Sequence, residues 1–162
     1  MQGKLRNMVS LYLYSRGEML FLYRIGSRVV AESYTGSAGG HFEKDELNDA
    51  RACVIRELYE ETGLREEDIE NLTLRYVTLR LKNGEIRQNY YFFAELKEKN
   101  QQITSNEGRL RWVQESEALN LDMPYTAKYV VAHYLRTGKY TDCLYSGVAT
   151  EQGVEFVEMK EF

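Results

Sequence analysis

Three carboxylates, Glu57, Glu60 and Glu61, lie three and four residues apart in the segment Arg56-Glu57-Leu58-Tyr59-Glu60-Glu61. Residues 49 to 62 read as a helix, with Asp49 or Asn48 as its cap and Gly63 as its stop. At about 100° per residue the three glutamates share an arc of roughly 100°. Leu47, Val54, Ile55 and Leu58 fall on an adjoining arc suited to a core. On an exposed helix such carboxylates repel by ~0.2–0.5 kcal/mol per pair. A hard divalent cation reverses that sign, because Mg²⁺ takes oxygen ligands and completes its shell with water and substrate phosphate. Glu-rich helix faces are ordinarily just solvated, so the flanking residues decide.

Upstream stands Gly39-Gly40-His41-Phe42-Glu43, and five residues separate Gly40 from Glu46. Downstream, Arg56-Glu57-Leu58-x-Glu60-Glu61-x-Gly63-Leu64 completes an ordered pattern that resembles the signature of the Nudix hydrolase family. The half from Arg56 to Leu64 matches at every specified position. The first half departs: nine residues separate Glu46 from Arg56, where the family pattern has seven. In strict register the early Glu position falls on Asn48, so a two-residue insertion before the helix is expected, and it puts the role of Glu46 in doubt. Ser37-Ala38 stands where a Leu-Pro often precedes the glycine pair.

The resemblance implies an α/β/α sandwich with a central mixed sheet, formed by residues 1–162 as a single domain. It implies Mg²⁺ as cofactor, with Mn²⁺ as a substitute, held by the Gly40 carbonyl and by Glu57, Glu60 and Glu61. An acidic loop before a Trp-bearing strand resembles the place where relatives keep a further carboxylate, which makes Glu107 a candidate for metal binding or for the base. Glu60 or Glu107 would accept the proton of the attacking water. Arg56 would pair with a glutamate and fix its rotamer. The implied reaction is cleavage of a diphosphate linkage, with the metal neutralising charge on the phosphate oxygens.

For substrate, Trp112-Val113-Gln114 and Asp122-Met123-Pro124 resemble the MutT-type branch, which acts on oxidised purine triphosphates such as 8-oxo-dGTP. The acidic pair that reads the base in animal members is replaced here by Tyr125, Thr126 and Ala127. A nucleoside triphosphate giving monophosphate and pyrophosphate is the first expectation. ADP-ribose or a nucleotide sugar is the alternative, and a non-hydrolysing nucleotide-binding regulator is the reading outside enzymes. Arg24 and Arg28 are candidates to lean over the phosphates. Asn89, Tyr91 and Tyr125 are candidates to meet the base.

The elements that must position these groups follow from pattern. The chain has 162 residues, 43% hydrophobic and 12% aromatic, which suits one globular domain. A net charge of -4 argues against binding long nucleic acid through its backbone. No apolar run near the start is long enough for a signal peptide or membrane span, so the expected setting is the cytoplasm. Cys53 and Cys143 lack paired spacing, so neither a disulfide scaffold nor a zinc site is expected. Gly36-Ser37-Ala38-Gly39-Gly40 lacks the Lys-Ser or Lys-Thr of a Walker loop.

Residues 8–14 and 18–24 read as strands joined at Arg16-Gly17, with a polar loop from Ile25 to Gly36. Residues 72–81 and 85–96 flank Asn83-Gly84, a strong hairpin signal. Tyr90 to Ala94 is apolar on both faces and should be a central strand. A strand at residues 109–113, a helix from about Thr126 to Arg136 and a terminal hairpin around Gln152-Gly153 complete the chain. His133 and Trp112 are expected in the core. The edges of the terminal hairpin would permit a homodimer.

Overall fold

The structure, a computed structural model, describes residues 2–24, 33–99 and 102–162. In chain order the strands are β1 (Lys4–Ser15), β2 (Glu18–Arg24), β3 (Ser33–Thr35), β4 (Ala38–His41), β5 (Ile69–Lys82), β6 (Glu85–Leu96), β7 (Gly108–Gln114), β8 (Leu144–Thr150) and β9 (Gly153–Met159). Two helices, α1 (Ala50–Thr62) and α2 (Tyr125–Arg136), interrupt them after β4 and after β7. Among the described residues the strands join in one mixed sheet of order β3-β2-β1-β6-β5-β8-β9, with β4 also on β1 and β7 also on β2.

Alternation along β1 assigns the two faces. Val9, Leu11 and Leu13 join Cys53, Val54 and Leu58 of α1 in one buried cluster. Tyr12, with Tyr91 and Phe93 of β6, joins Val130, Val131 and Tyr134 of α2 in the other. Successive strand residues point to opposite faces, so α1 and α2 cover opposite sides. The expected sandwich is observed. Fully burying one such side chain contributes ~1.5–3 kcal/mol, and β6 carries large residues to both clusters because it is central, between β1 and β5.

Local signals account for the element ends. The Asp49 side chain accepts from the Ala52 amide at 2.9 Å, capping α1. Gly63 closes the helix at φ 74°, a conformation that costs glycine little. Arg16 and Gly17, at φ 50° and 79°, turn β1 into β2, and Asn83 and Gly84, at 54° and 73°, turn β5 into β6.

Leu47 departs from expectation. It ends a short 3₁₀ turn before α1 and is 54% exposed, so the core stripe of the helix is Cys53, Val54 and Leu58 without it. Within the stretch expected as a loop, Ser33–Thr35 pairs with β2 as β3. No helix among the described residues is long and apolar enough to cross a membrane.

Candidate active site

The glutamates of α1 end up in three different settings. Glu57 is buried, Glu61 has a side chain only 10% exposed, and the Glu60 side chain is 54% exposed. Glu57 and Glu61, one turn apart, face β4, which carries the two glycines. The Gly39 amide donates to Glu61 Oε2 at 3.0 Å. Gly40 lies against Glu57 so closely that a β-carbon there would overlap both carboxylate oxygens. The glycine pair therefore lets two acidic side chains close on a strand backbone.

Arg56 is the hub that orders the other side of the cluster. Its Nε donates to Glu46 Oε1 at 2.6 Å and its Nη2 to Glu46 Oε2 at 2.9 Å. Its Nη1 donates to Glu57 Oε1 and to Glu60 Oε2, both at 2.9 Å. Nη2 also reaches the His41 carbonyl at 3.0 Å. Glu46 is buried, and its Oε2 accepts from the Glu43 amide at 2.9 Å. Glu46 ends the 3₁₀ turn Lys44–Glu46, and across the nine residues that separate it from Arg56 it keeps a partner on the helix.

A second cation joins two acids from distant parts of the chain. Arg24, the last residue of β2, has Nη2 at 3.8 Å from both Glu61 Oε1 and Glu107 Oε2. Glu107, directly before β7, arrives here because β7 pairs antiparallel with β2, setting Gly108 opposite Arg24. The Arg24 Nε atom is buried with no hydrogen-bond partner. Beside this group, the end of α1 and the loop before β7 enclose a cleft of about 520 Å³ lined by Glu60, Glu61, Thr104 and Asn106 among others.

Burial and pairing pull these acids in opposite directions. Burial, chiefly, pushes the Glu61 carboxyl up to about 7, against the Gly39 amide bond that favours its ionised form. Burial also raises Glu57, in spite of Arg56. Glu46 goes the other way, down to about 2, because Arg56 donates to it. Burial raises the Cys53 thiol to about 12, as expected for an inert core cysteine.

The remaining candidates divide. Arg28 lies outside the described residues. Tyr91 is corrected: it is 2% exposed, packed beside Tyr12 in the α2-side core, and its ring offers no shelf to a base. Tyr125 is half-buried at the start of α2, with its hydroxyl donating to the Thr150 carbonyl at 2.7 Å. Asn89 is half-buried, its Nδ2 donating to Ser10 Oγ at 3.1 Å. His133 packs as expected, with Nδ1 at 2.8 Å from the Tyr76 hydroxyl. Trp112 is half-buried against the α1-side cluster. The position that sequence reasoning undervalued is Glu46; its signals were its spacing from Gly40 and Arg56 itself, whose planar fork calls for a carboxylate partner.

Among the described residues no three of His, Cys, Asp and Glu already converge on one point as a metal site. Arg56 holds Glu57 and Glu60, while Arg24 stands between Glu61 and Glu107. The donor set still fits Mg²⁺. Its donors are carboxylate oxygens, two of them on side chains whose carboxyls burial raises, and the missing side chain at Gly40 lets the Glu57 carboxylate lie against the strand backbone.

The sequence profile of the NUDIX domain matches residues 4–134. No curated protein sequence matches the chain. Among solved structures, the mutator MutT protein from Bacillus halodurans superposes with a TM-score of 0.66 at 20% identity, covering 93% of this chain and 97% of that one. The MutT protein from Methanosarcina mazei gives 0.62 at 20% identity, covering 86% and 99%. A NUDIX hydrolase from Nitrosomonas europaea gives 0.66 at 15% identity, covering 92% and 80%. At these identities the likeness is one of fold.

Proposed function

The chain belongs to the Nudix family, hydrolases of nucleoside diphosphate-linked substrates, and on that premise we propose that it is an Mg²⁺-dependent pyrophosphohydrolase of nucleoside triphosphates, releasing monophosphate and pyrophosphate. The observation that carries this reading is the convergence of Glu61 and Glu107 on Arg24, beside the Gly39–Gly40 backbone. Likeness in fold to two proteins described as MutT favours a triphosphate over other diphosphate-linked compounds, and an oxidised purine such as that of 8-oxo-dGTP is the base to try first. Its proposed setting is the cytoplasm.

Glu57, Glu61, Glu107 and the Gly40 carbonyl would hold Mg²⁺, with Glu60 at the exposed edge of the set, and Mn²⁺ would substitute. Bound there, the cation neutralises charge on the phosphate oxygens as it builds. The chain's own groups do the rest. Water attacks one phosphorus, the bond from that phosphorus to the bridging oxygen breaks, and the water's proton passes to a carboxylate. Glu107 suits that role: it is half exposed, lies beside Arg24 and is free of the Arg56 network. Arg24 offers its guanidinium to a phosphate oxygen, which would answer its unpartnered Nε. Arg56, through Glu46 and His41, holds the first turns of α1 against β4.

The test is release of pyrophosphate from normal and oxidised nucleoside triphosphates, with and without Mg²⁺. Metal-dependent pyrophosphate release supports the proposal. Turnover restricted to ADP-ribose or a nucleotide sugar, or tight nucleotide binding with no turnover, overturns it.

A further inference from the structure

The two helices do not cover the sheet evenly. α1 packs on β4 and β1, while α2 packs on β5 and β9 from the opposite side. Among the described residues, the α1 side of β5, β8 and β9 carries no helix. The residues on it are nonetheless apolar: Leu79, Leu81, Val148, Val157 and Met159 are 40% to 64% exposed. Register puts them on one face. Leu79 is opposite Val148, Ser146 opposite Val157 and Leu144 opposite Met159, and residues two apart on a strand share a side.

The alternation along β5 runs against solvent. An open sheet face ordinarily turns polar residues to water. In the outer half of β5, Val77, Leu79 and Leu81 take the open side, whereas Thr78, Arg80 and Lys82 share the side of Tyr76, which α2 occupies. Single exposed leucines are unremarkable on a protein surface, but a contiguous face of them marks a contact. This one continues the interior, because Leu74, on the same side of β5, packs against the α1-side core.

Extent and charge point to the occupant. The strands β6, β5, β8 and β9 at ~4.8 Å spacing, with four same-side rungs at ~6.8 Å, give a footprint of roughly 500 Å². Side-chain relief, and Leu5 of β1 opposite Ile86, bring it toward the ~800 Å² that each partner contributes to a standard dimer. One rung crosses the middle as Gln88, Leu79, Val148 and Glu155. Its acid and its amide thus stand at opposite margins. A two-fold axis along the strands, between β5 and β8, would lay Leu79 over the partner's Val148 and Gln88 over the partner's Glu155. That sets an amide donor on a carboxylate and keeps the strands of the two sheets aligned, the usual way for sheets to stack.

We propose that this face docks on a second copy of the chain, forming a two-fold homodimer by sheet-on-sheet packing and not through the edge of the terminal hairpin. A flat, branched, nearly uncharged surface is complementary to itself, as a two-fold contact requires. The inference is independent of the proposed reaction.

Sedimentation equilibrium of the full chain tests it. The wild type should be a dimer at micromolar concentration. V148K/V157K places two charges in the contact at positions exposed in the single chain, and should weaken the dimer at least a hundredfold with circular dichroism unchanged. Q88E leaves every apolar residue in place and sets like charges against each other, so it should weaken the dimer about tenfold, and Q88E/E155K should recover it. A wild type that stays monomeric at its highest soluble concentration overturns the proposal, as does a dimer untouched by both V148K/V157K and Q88E. A monomer that sediments with phosphatidylcholine vesicles overturns it too, and would give the face to a lipid surface.

Discussion

Arg56 and Glu46 face each other fork to fork, with Nε on Oε1 at 2.6 Å and Nη2 on Oε2 at 2.9 Å. The pair ties the turn after β4 to the second turn of α1, and the same guanidinium continues to Glu57 and Glu60. It thereby fixes the helix that carries the acids against the strand that carries the glycines.

Stability should therefore depend on Glu46 in a pH-dependent way. Its carboxyl is depressed from 4.5 to about 2 in the folded state, so its contribution is present above pH 4.5 and lost as pH falls through 2. E46Q should cost on the order of 2 kcal/mol at pH 7 in urea unfolding, and the wild type and variant should converge near pH 2. A gap that persists undiminished at that pH would contradict the assignment.

Glu61 should respond with the opposite sign. Its folded carboxyl is raised to about 7, so the metal-free protein is favoured by protonation below 4.5 and loses that stability as pH rises through 7. Mg²⁺ should offset the loss. At a hundred times its dissociation constant it adds about 2.7 kcal/mol, visible as a higher melting temperature at pH 8 and a much smaller rise at pH 5.5. E61Q should abolish the Mg²⁺ effect at both; an equal shift in E61Q would place the ion elsewhere.

Turnover should fall at least a hundredfold in E57Q and in E61Q, with circular dichroism unchanged. If both retain more than a tenth of wild-type activity on the preferred nucleotide, the ligand assignment fails. E60Q tests the more exposed acid, whose present partner is Arg56, and should reduce kcat.

Gly40→Ala should separate fold from function. The added methyl meets the end of the Glu57 side chain and not backbone, so the carboxylate can swing aside at a cost of about 1 kcal/mol. Displaced, it would no longer stand beside the Gly40 backbone as a second ligand for the ion. Melting temperature should drop by a few degrees while activity at limiting Mg²⁺ falls more than tenfold and partly recovers at high Mg²⁺.

Local chemistry made much of this legible in advance. Asp49 and Gly63 bound α1, and Asn83-Gly84 turns β5 into β6, because each satisfies a backbone requirement within a few residues. Tyr91 was ambiguous because its strand is apolar on both faces; only the position of α2 decides that its ring is enclosed. The Arg56–Glu46 pair was obscured by the longer spacing between them. The join of β1 to β6 had no local signature, because the two meet by parallel pairing, which no short pattern specifies.

That parallel pairing has a consequence for how the chain reaches its native state. Met8 must find Asn89 before the centre of the sheet exists, and the intervening residues form a large closed loop whose entropy is lost before the contact rewards it. The β5–β6 hairpin can assemble early on its own turn, and the N-terminal hairpin likewise. Joining them is then the slow event, and until it happens the exposed aromatic flanks of β6 are the surface on which a newly made chain would stick to its neighbours.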